Sequence, residues 1–578
     1  MLCRKFSGTA AWAICLIALR TALAQQCRKD PNATSSACGL PLELANFQGY
    51  YNCSSAVLVG RPVNLTQLQN LVTNFKHVKG VGVGHSWWQE QFCSGRDADS
   101  VNIVMTELDD TLSLINQPSY NTVAPPNFPI QVNETSGTVT VQAGVPQHML
   151  LDYLSKYSTI TQPSGWTLAA FSWFIDQTIG GAVATGTHGS TLTHGSLSSQ
   201  VTELEVVLAN GTLATFTPMS NPHLWKALQI SVGRLGIITQ LTFTIVPQRA
   251  VERSLAQITL AQFADQVTAA QNAYNQGSAT NNLTLVEQAL NSLDETQAFW
   301  FVETDQVWRT DYTRLDREPA AVLINIDPTP TVQKFDGTTV PGAFDQILKA
   351  PLAPNPAIVG DARFWSNFYA TTARSLVAPG TYAARDAYLS VSDLGSRQMS
   401  TFDPYDQYEL SVPLSQAGDC LKLVVQAAAA PALGAAFRVP ALIRFVNRED
   451  AYLSNAHGEP RMFVNVEDHL SRQTGVDNVP FLGLVQLLRQ QCAARMHWGK
   501  AGWPRFAPCF DGAAEYPDSW CHFGCAVQEL DPTGKFASES SVWRWRATKN
   551  GTDVPLQQCC SPSGFRQECV CAARIECS

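Results

Sequence analysis

Two glycine-rich runs carry the residue types that can hold an anionic cofactor without a basic side chain. The first is Val81-Gly82-Val83-Gly84-His85-Ser86. The second runs Thr178-Ile179-Gly180-Gly181-Ala182-Val183-Ala184-Thr185-Gly186-Thr187-His188-Gly189-Ser190. Each follows or enters an apolar, strand-like segment, and glycine has no Cβ, so backbone N–H groups can come close to a pyrophosphate. Neither run meets the better-known nucleotide motifs. G-x-G-x-x-G would need glycine at 87, where Trp87 stands, and neither run ends in the Lys-Ser/Thr pair of a P-loop. A nicotinamide enzyme or an NTPase is disfavoured. Either run alone reads as a turn between strands, but the pair in this order points to a flavin.

Amides from Gly180 to Ser190 are expected against the pyrophosphate, at the N-terminus of a helix beginning near Ala182. The Thr178 hydroxyl is placed near the flavin ring. His188 and His194 read as structural before catalytic.

The elements that must position these runs alternate short β-rich stretches with turns from about Ala56 to Pro247. Val101–Met105, Gly137–Gln142 with Val139 and Val141 alternating, and a hairpin from Val206–Leu208 through Asn210-Gly211 to Leu213–Phe216 are strands. Ser231 to Ile238 leads into a strand over Gln240–Val246, closed by Pro247. From Ala250 helical patterns over Ala261–Tyr274 and Ser415–Ala430, the latter with Ser415 as N-cap, mix with strands at Ala298–Glu303, Ala320–Ile326 and Ala441–Asn447. The fold class is α+β, with two main domains. The expected boundaries are 1–24 signal peptide, 25–55 a Cys-containing segment, 56–247 the cofactor domain, 248–536 a second α+β domain, and 537–578 a disulfide-rich tail.

With 578 residues, 45% hydrophobic and 15% charged, the chain has ample length for a core, and its net charge of −9 leaves no basic footprint for nucleic acid. Arg4 and Lys5, an apolar stretch from Thr9 to Leu19, and Ala22-Leu23-Ala24 have the form of a secretory signal cleaved after Ala24. Arg20 interrupts that stretch too early for a membrane span, and no later segment is long and apolar enough for one. Removing Cys3 and Cys15 from the 16 cysteines leaves an even number, in a compartment that favours disulfides. Cys559, Cys560, Cys569, Cys571 and Cys577 crowd the end of the chain, where a metal knuckle is the rival reading, though histidines are absent there. Sequons at Asn32, Asn52, Asn64, Asn133, Asn210, Asn282 and Asn550 agree with a secreted or cell-wall glycoprotein.

These motifs together resemble the aldonolactone oxidases of the vanillyl-alcohol-oxidase (VAO, or PCMH-type FAD) superfamily, and most of all the secreted, plant-type L-gulono-1,4-lactone oxidases. Gly84-His85-Ser86 sits where that family bonds a histidine to FAD. Ile179 to Gly189 matches its most repeated FAD-domain motif, and Gly233 to Ile238, with Gly236 and Ile237, matches the segment closing that domain. His497-Trp498-Gly499-Lys500 is similar to its HWxK signature, and Asp531 to Phe536 to its D-P-x-G-x-F ending. One departure stands out. Many members carry Glu-x-Arg-Phe facing the substrate, and here the stretch reads Leu442-Ile443-Arg444-Phe445, which leaves the identity of the substrate open.

The resemblance implies a VAO-type FAD domain with an α+β cap. It implies FAD bonded through His85, the alternative being a histidine that only packs on it. A second tether through cysteine is not expected, since none lies between Cys93 and Cys420, where bicovalent relatives place theirs; Cys93 is left to pair with Cys53. The implied reaction is hydride transfer from a sugar-lactone carbon to the flavin, with dioxygen as acceptor. Arg444 and Lys500 are then cations at the reacting centre, and His497 is either a base or the anchor of Trp498 and Lys500. Two other functions fit the same residues: oxidation of a free sugar, oligosaccharide or alditol, and an inactive matrix glycoprotein.

Overall fold

The computed structural model describes residues 44–110, 128–157, 159–160, 162–277, 283–291, 294–317, 379–388, 405–434, 437, 439–537 and 540–573. The signal-peptide stretch, Cys27, Cys38 and the Ala320–Ile326 strand expectation lie outside them.

The first sheet is parallel, in the order Leu58–Gly60, Ser100–Val104, His77–Val81. Helix Leu65–Asn74 crosses between its outer strands. It starts where Asn64 accepts the Gln67 N–H at 3.0 Å, and it buries Leu68, Leu71 and Val72. A five-stranded antiparallel sheet follows, ordered Ile130–Asn133, Thr138–Gln142, Ile237–Thr244, Val201–Val207, Leu213–Phe216. Val139 and Val141 face the core while Thr138 and Thr140 turn away, which is the period-two pattern of a half-buried strand. The Asn210-Gly211 turn is present, with Gly211 at φ 82°. The strand feeding it begins earlier than the hairpin pattern suggests, because Val201 to Val207 pair with Ile237–Thr244 as well.

The second region is built on eight antiparallel strands, in the order Gly380–Ala383, Ala250–Thr259, Gln306–Arg314, Glu295–Phe301, Ala441–Val446, Arg461–Asp468, Asp406–Pro413, Arg495–Met496. Helices Leu260–Gly277, Ala417–Ala428 and Val479–Gln491 pack on it, giving an α+β architecture. Ser415 is not the N-cap of the second helix. Its hydroxyl donates to Glu459 at 2.9 Å, a 3-10 turn occupies Leu414–Gln416, and Gln416 precedes the helix. Among the described residues no helix is long and apolar enough to cross a membrane.

Disulfides join Cys53 to Cys93, Cys420 to Cys492, Cys521 to Cys571, Cys525 to Cys560 and Cys559 to Cys569. Cys559, Cys560, Cys569 and Cys571 are thus bridged and not a metal knuckle. Two of these bonds tie the tail to helix Trp520–Leu530, so it is bolted to the body. Indoles reinforce that attachment. Trp88, Trp503, Trp498, Trp543, Trp520 and Trp545 follow one another with ring centroids 4.6–5.9 Å apart.

Candidate cofactor cleft and active site

Strand His77–Val81 delivers the first glycine run at its carboxyl end, the edge of a parallel sheet where ligands are commonly held. Facing it is a short helix, Ile179–Ala184. It starts three residues before the expected Ala182, because the Ile179 and Gly180 N–H groups bond the carbonyls of Val145 and Ala143. The two runs touch. A Cβ on Gly82 would stand 1.8 Å from Thr178 Oγ1. Gly84, at φ 69°, lets the chain turn beneath Ala45 and Asn46.

Between the runs opens a cleft of about 600 Å³. Of the sequence-nominated residues, Gly82, Val83, Gly84, His85, Ser86, Thr178, Gly181, Thr185 and Thr187 line it. Gly180, Gly186, His188, Gly189, Gly236 and Ile237 do not. Gly180 is small so that it can pack on Ala143, and Gly189 so that it can pass the Phe171 backbone. Gly186, at φ 70°, packs against Ile230, Gly236 fits under Val206 and Val207, and Ile237 lies in the core against the Gly80 position. Among the described residues no Asp, Glu, Lys or Arg lines the cleft, but Lys79 is buried just behind its Val232–Gly233 wall, 3.3 and 3.2 Å from those carbonyls. Burial, with Arg234 nearby, draws the Lys79 amine down to about 7.

A second chamber of about 340 Å³ adjoins the cleft and shares His85, Gln177, Thr185 and Thr187 with it. Phe47 stacks on His85 at 3.8 Å, and the Gln177 amide lies 3.3 Å from His85 Nδ1. His188, Glu409, Arg444, His497 and Lys500 converge on the same space. Arg444 and Glu409 form a buried ion pair, and Arg444 also donates to the His188 carbonyl at 3.2 Å. Lys500 donates to Gln407 and stands 4.6 Å from the Trp87 ring centroid and 5.1 Å from that of Phe174.

Burial by itself would raise the Glu409 carboxyl. Arg444, with Lys500 behind it, outweighs that and holds the group well below the ordinary carboxylate range. Burial brings the Lys500 amine down to about 8 against the pull of Glu409, and brings His497 down to about 4. Burial and the Arg444 charge hold His188 well below its usual value, so both imidazoles are neutral near pH 7.

His497 is engaged at both nitrogens. Its Nδ1 accepts the Gly499 N–H at 3.0 Å, which leaves the ring hydrogen on Nε2 for the Gly186 carbonyl. That geometry favours the anchor over the base, because His497 ties the second glycine run to the turn that presents Lys500. Among the described residues, His188, Glu409 and His497 bring ligand-type atoms within 4.8 Å of one another. Glu409 is paired to Arg444 and both His497 nitrogens are taken by backbone groups, so these atoms are already committed and do not read as a metal centre.

Residues 127–217 match the FAD binding domain family and residues 264–544 match the D-arabinono-1,4-lactone oxidase family. Over these two segments the chain is similar to the FAD-dependent aldonolactone oxidases. It is 23% identical to an L-gulono-1,4-lactone dehydrogenase of Mycobacterium tuberculosis over 506 residues, covering 86% of this chain and 97% of that one. It is 37% identical to a D-arabinono-1,4-lactone oxidase of Yarrowia lipolytica over 121 residues, 21% of this chain. That match, like the one to a Neurospora crassa relative, spans only 22% of the relative's length. A cholesterol oxidase from B. sterolicum superposes with a TM-score of 0.64 over 89% of this chain and 99% of that one, at 16% identity, which establishes a shared fold.

The cleft fits FAD on its own geometry. A Cβ on Gly181 would meet only Thr178 Oγ1, at 3.3 Å, so the backbone is open to a close ligand there. The residues that sequence motifs missed are Glu409, Gln407, Gln177, Phe47 and Trp87. Glu409 sits on strand Asp406–Pro413, whose only sequence signal was alternating apolar residues. Phe47 comes from the N-terminal segment and reaches the site because Asn46 and Phe47 bond Ser86 and Gly84.

Proposed function

We propose that the protein is a secreted FAD-dependent oxidase of a sugar-1,4-lactone, L-gulono-1,4-lactone or a close aldonolactone, yielding an ascorbate-type product and hydrogen peroxide. The similarity of residues 264–544 to the D-arabinono-1,4-lactone oxidase family supports the substrate class. The observation that carries the chemistry is the convergence of Arg444, Lys500 and Glu409 with His85 on one buried chamber. Bound FAD supplies a two-electron acceptor for hydride from the carbinol carbon and is returned to its oxidised form by dioxygen. His85 is the residue that would tether it, with Phe47 and Gln177 fixing the plane of the imidazole.

The chain's own contribution is position and field. Two cations face one carboxylate, so the chamber is net positive where negative charge develops during oxidation. A lactone is uncharged and rich in hydroxyls, and it needs donors and acceptors side by side. Arg444 and Lys500 offer the donors and Glu409 Oε2 the acceptor, while Trp173 and Phe174 provide an apolar wall for ring C–H groups. Peroxide release across aldonolactones, alditols and free sugars tests the reading. A rate confined to alditols or sugars would move the substrate class, and purified protein without flavin absorption would leave a scaffold glycoprotein.

A further inference from the structure

Oxidising a carbinol releases a proton as well as a hydride, and the chamber restricts where that proton can go. Arg444 has only donors. Lys500 gives a hydrogen to Gln407 and is mostly cationic at neutral pH, and His497 is engaged at both nitrogens. His85 is the proposed tether. Of the titratable side chains lining the chamber, His188 and Glu409 remain.

His188 Nδ1 lies 2.8 Å from the Gly189 carbonyl oxygen, which can only accept, so the ring hydrogen sits on Nδ1 and Nε2 presents a lone pair. That lone pair faces Glu409 Oε1 at 3.5 Å, with both side chains buried. Two acceptors opposed in a dry site are satisfied only when a donor joins them. Glu409 Oε2 is likewise buried, with no hydrogen-bond partner among the described residues.

We infer that His188 Nε2, backed by the Glu409 carboxylate, receives the hydroxyl proton of the substrate, and that the site selects compounds able to donate a hydroxyl hydrogen there. The inference rests on reading the chamber as a CH–OH oxidising centre. As the C–H bond breaks, its electron pair and hydrogen leave as hydride to the flavin. The O–H bond breaks toward Nε2, and the carbon–oxygen bond becomes a carbonyl. Dioxygen then takes the two electrons with both hydrogens, one from the hydride and one from the imidazolium, to give hydrogen peroxide. A weak base suffices, because a hydroxyl becomes strongly acidic once its carbon has begun to lose hydride. Glu409 Oε1, 3.5 Å away, stabilises the imidazolium, while Oε2 is left to accept from the substrate's hydroxyls.

The test is anaerobic bleaching of the holoenzyme's flavin by a substrate in a stopped-flow instrument, in H2O and D2O. His188→Asn keeps a donor for the Gly189 carbonyl and removes the basic nitrogen Nε2. It is expected to slow bleaching by about 100-fold or more and to abolish the solvent isotope effect on that step. Glu409→Gln, which keeps the shape, is the second variant should the first fail to fold, and it is expected to slow bleaching with the isotope effect retained. Folded, yellow His188→Asn that bleaches at the wild-type rate, or wild-type-like bleaching by Glu409→Gln, overturns the inference. Wild-type flavin bleached by an alditol and by no aldonolactone defeats the lactone reading alone, and the same variants are then read on the alditol. Flavin that no carbinol bleaches defeats both.

Discussion

Glu409 stands in the same cross-strand row as Leu442, two strands away, and pairs with Arg444. Both Leu442 and Glu409 lie opposite Asn465, and Arg444 is two residues along from Leu442 and so on the same face. The carboxylate that many relatives place two residues before the arginine is here supplied from across the sheet. Glu409→Ala would leave a buried guanidinium without its carboxylate, and a loss of about 3–5 kcal/mol in urea unfolding is expected. Adding Leu442→Glu should restore part of that loss. A double-mutant cycle with no coupling between the two positions would dissociate them.

Lys500→Ala is expected to lose about a hundred- to a thousand-fold in turnover while the protein stays yellow. Burial lowers this amine to about 8, so its charge is present below that pH and is lost as pH rises through it. Wild-type turnover should therefore fall on the alkaline side near pH 8, and in Lys500→Ala that limb should be absent. An alkaline limb unchanged in the variant would assign it to another group.

His85→Ala should release its flavin on acid precipitation, leaving a colourless pellet. A pellet that keeps its colour would place the bond on a different residue.

Gly82→Ala forces a methyl group onto Thr178 Oγ1, and overpacking of this kind costs about 1–3 kcal/mol. The variant should bind FAD weakly, as read by flavin fluorescence in the filtrate of a non-covalent background such as His85→Ala. Thr178→Gly in the same chain should rescue it, since the Thr178 Cβ itself is 2.8 Å from the new methyl. Failure to rescue would mean that the methyl intrudes on something other than Thr178.

What was legible in the sequence was whatever is encoded locally. Both glycine runs, the Asn210-Gly211 hairpin and the alternation around Val139 could be read because turn geometry and period-two burial leave marks on adjacent residues. Arg444, Lys500 and His497 were found through motifs, and the structure brings them to one chamber. Glu409 was invisible because its significance arises from strand order, with Arg461–Asp468 standing between it and Arg444. Phe47 escaped notice for a similar reason, since nothing near it in sequence signals that it covers an imidazole. Gly180 and Gly189 looked like phosphate-facing positions, yet neighbouring atoms account for their small size. A glycine count cannot distinguish room made for a ligand from room made for packing.

The ladder of indoles from Trp88 to Trp545 reaches the turn behind the reaction chamber. Trp498 is clamped between Trp503 and Trp543, and the neighbours of Trp498 on either side, His497 and Gly499, help to wall the reaction chamber. Trp543 therefore braces, from behind, the turn that carries His497 and Gly499, without lining the chamber itself. A side chain that touches neither cleft nor chamber thus bears on the backbone that presents Lys500.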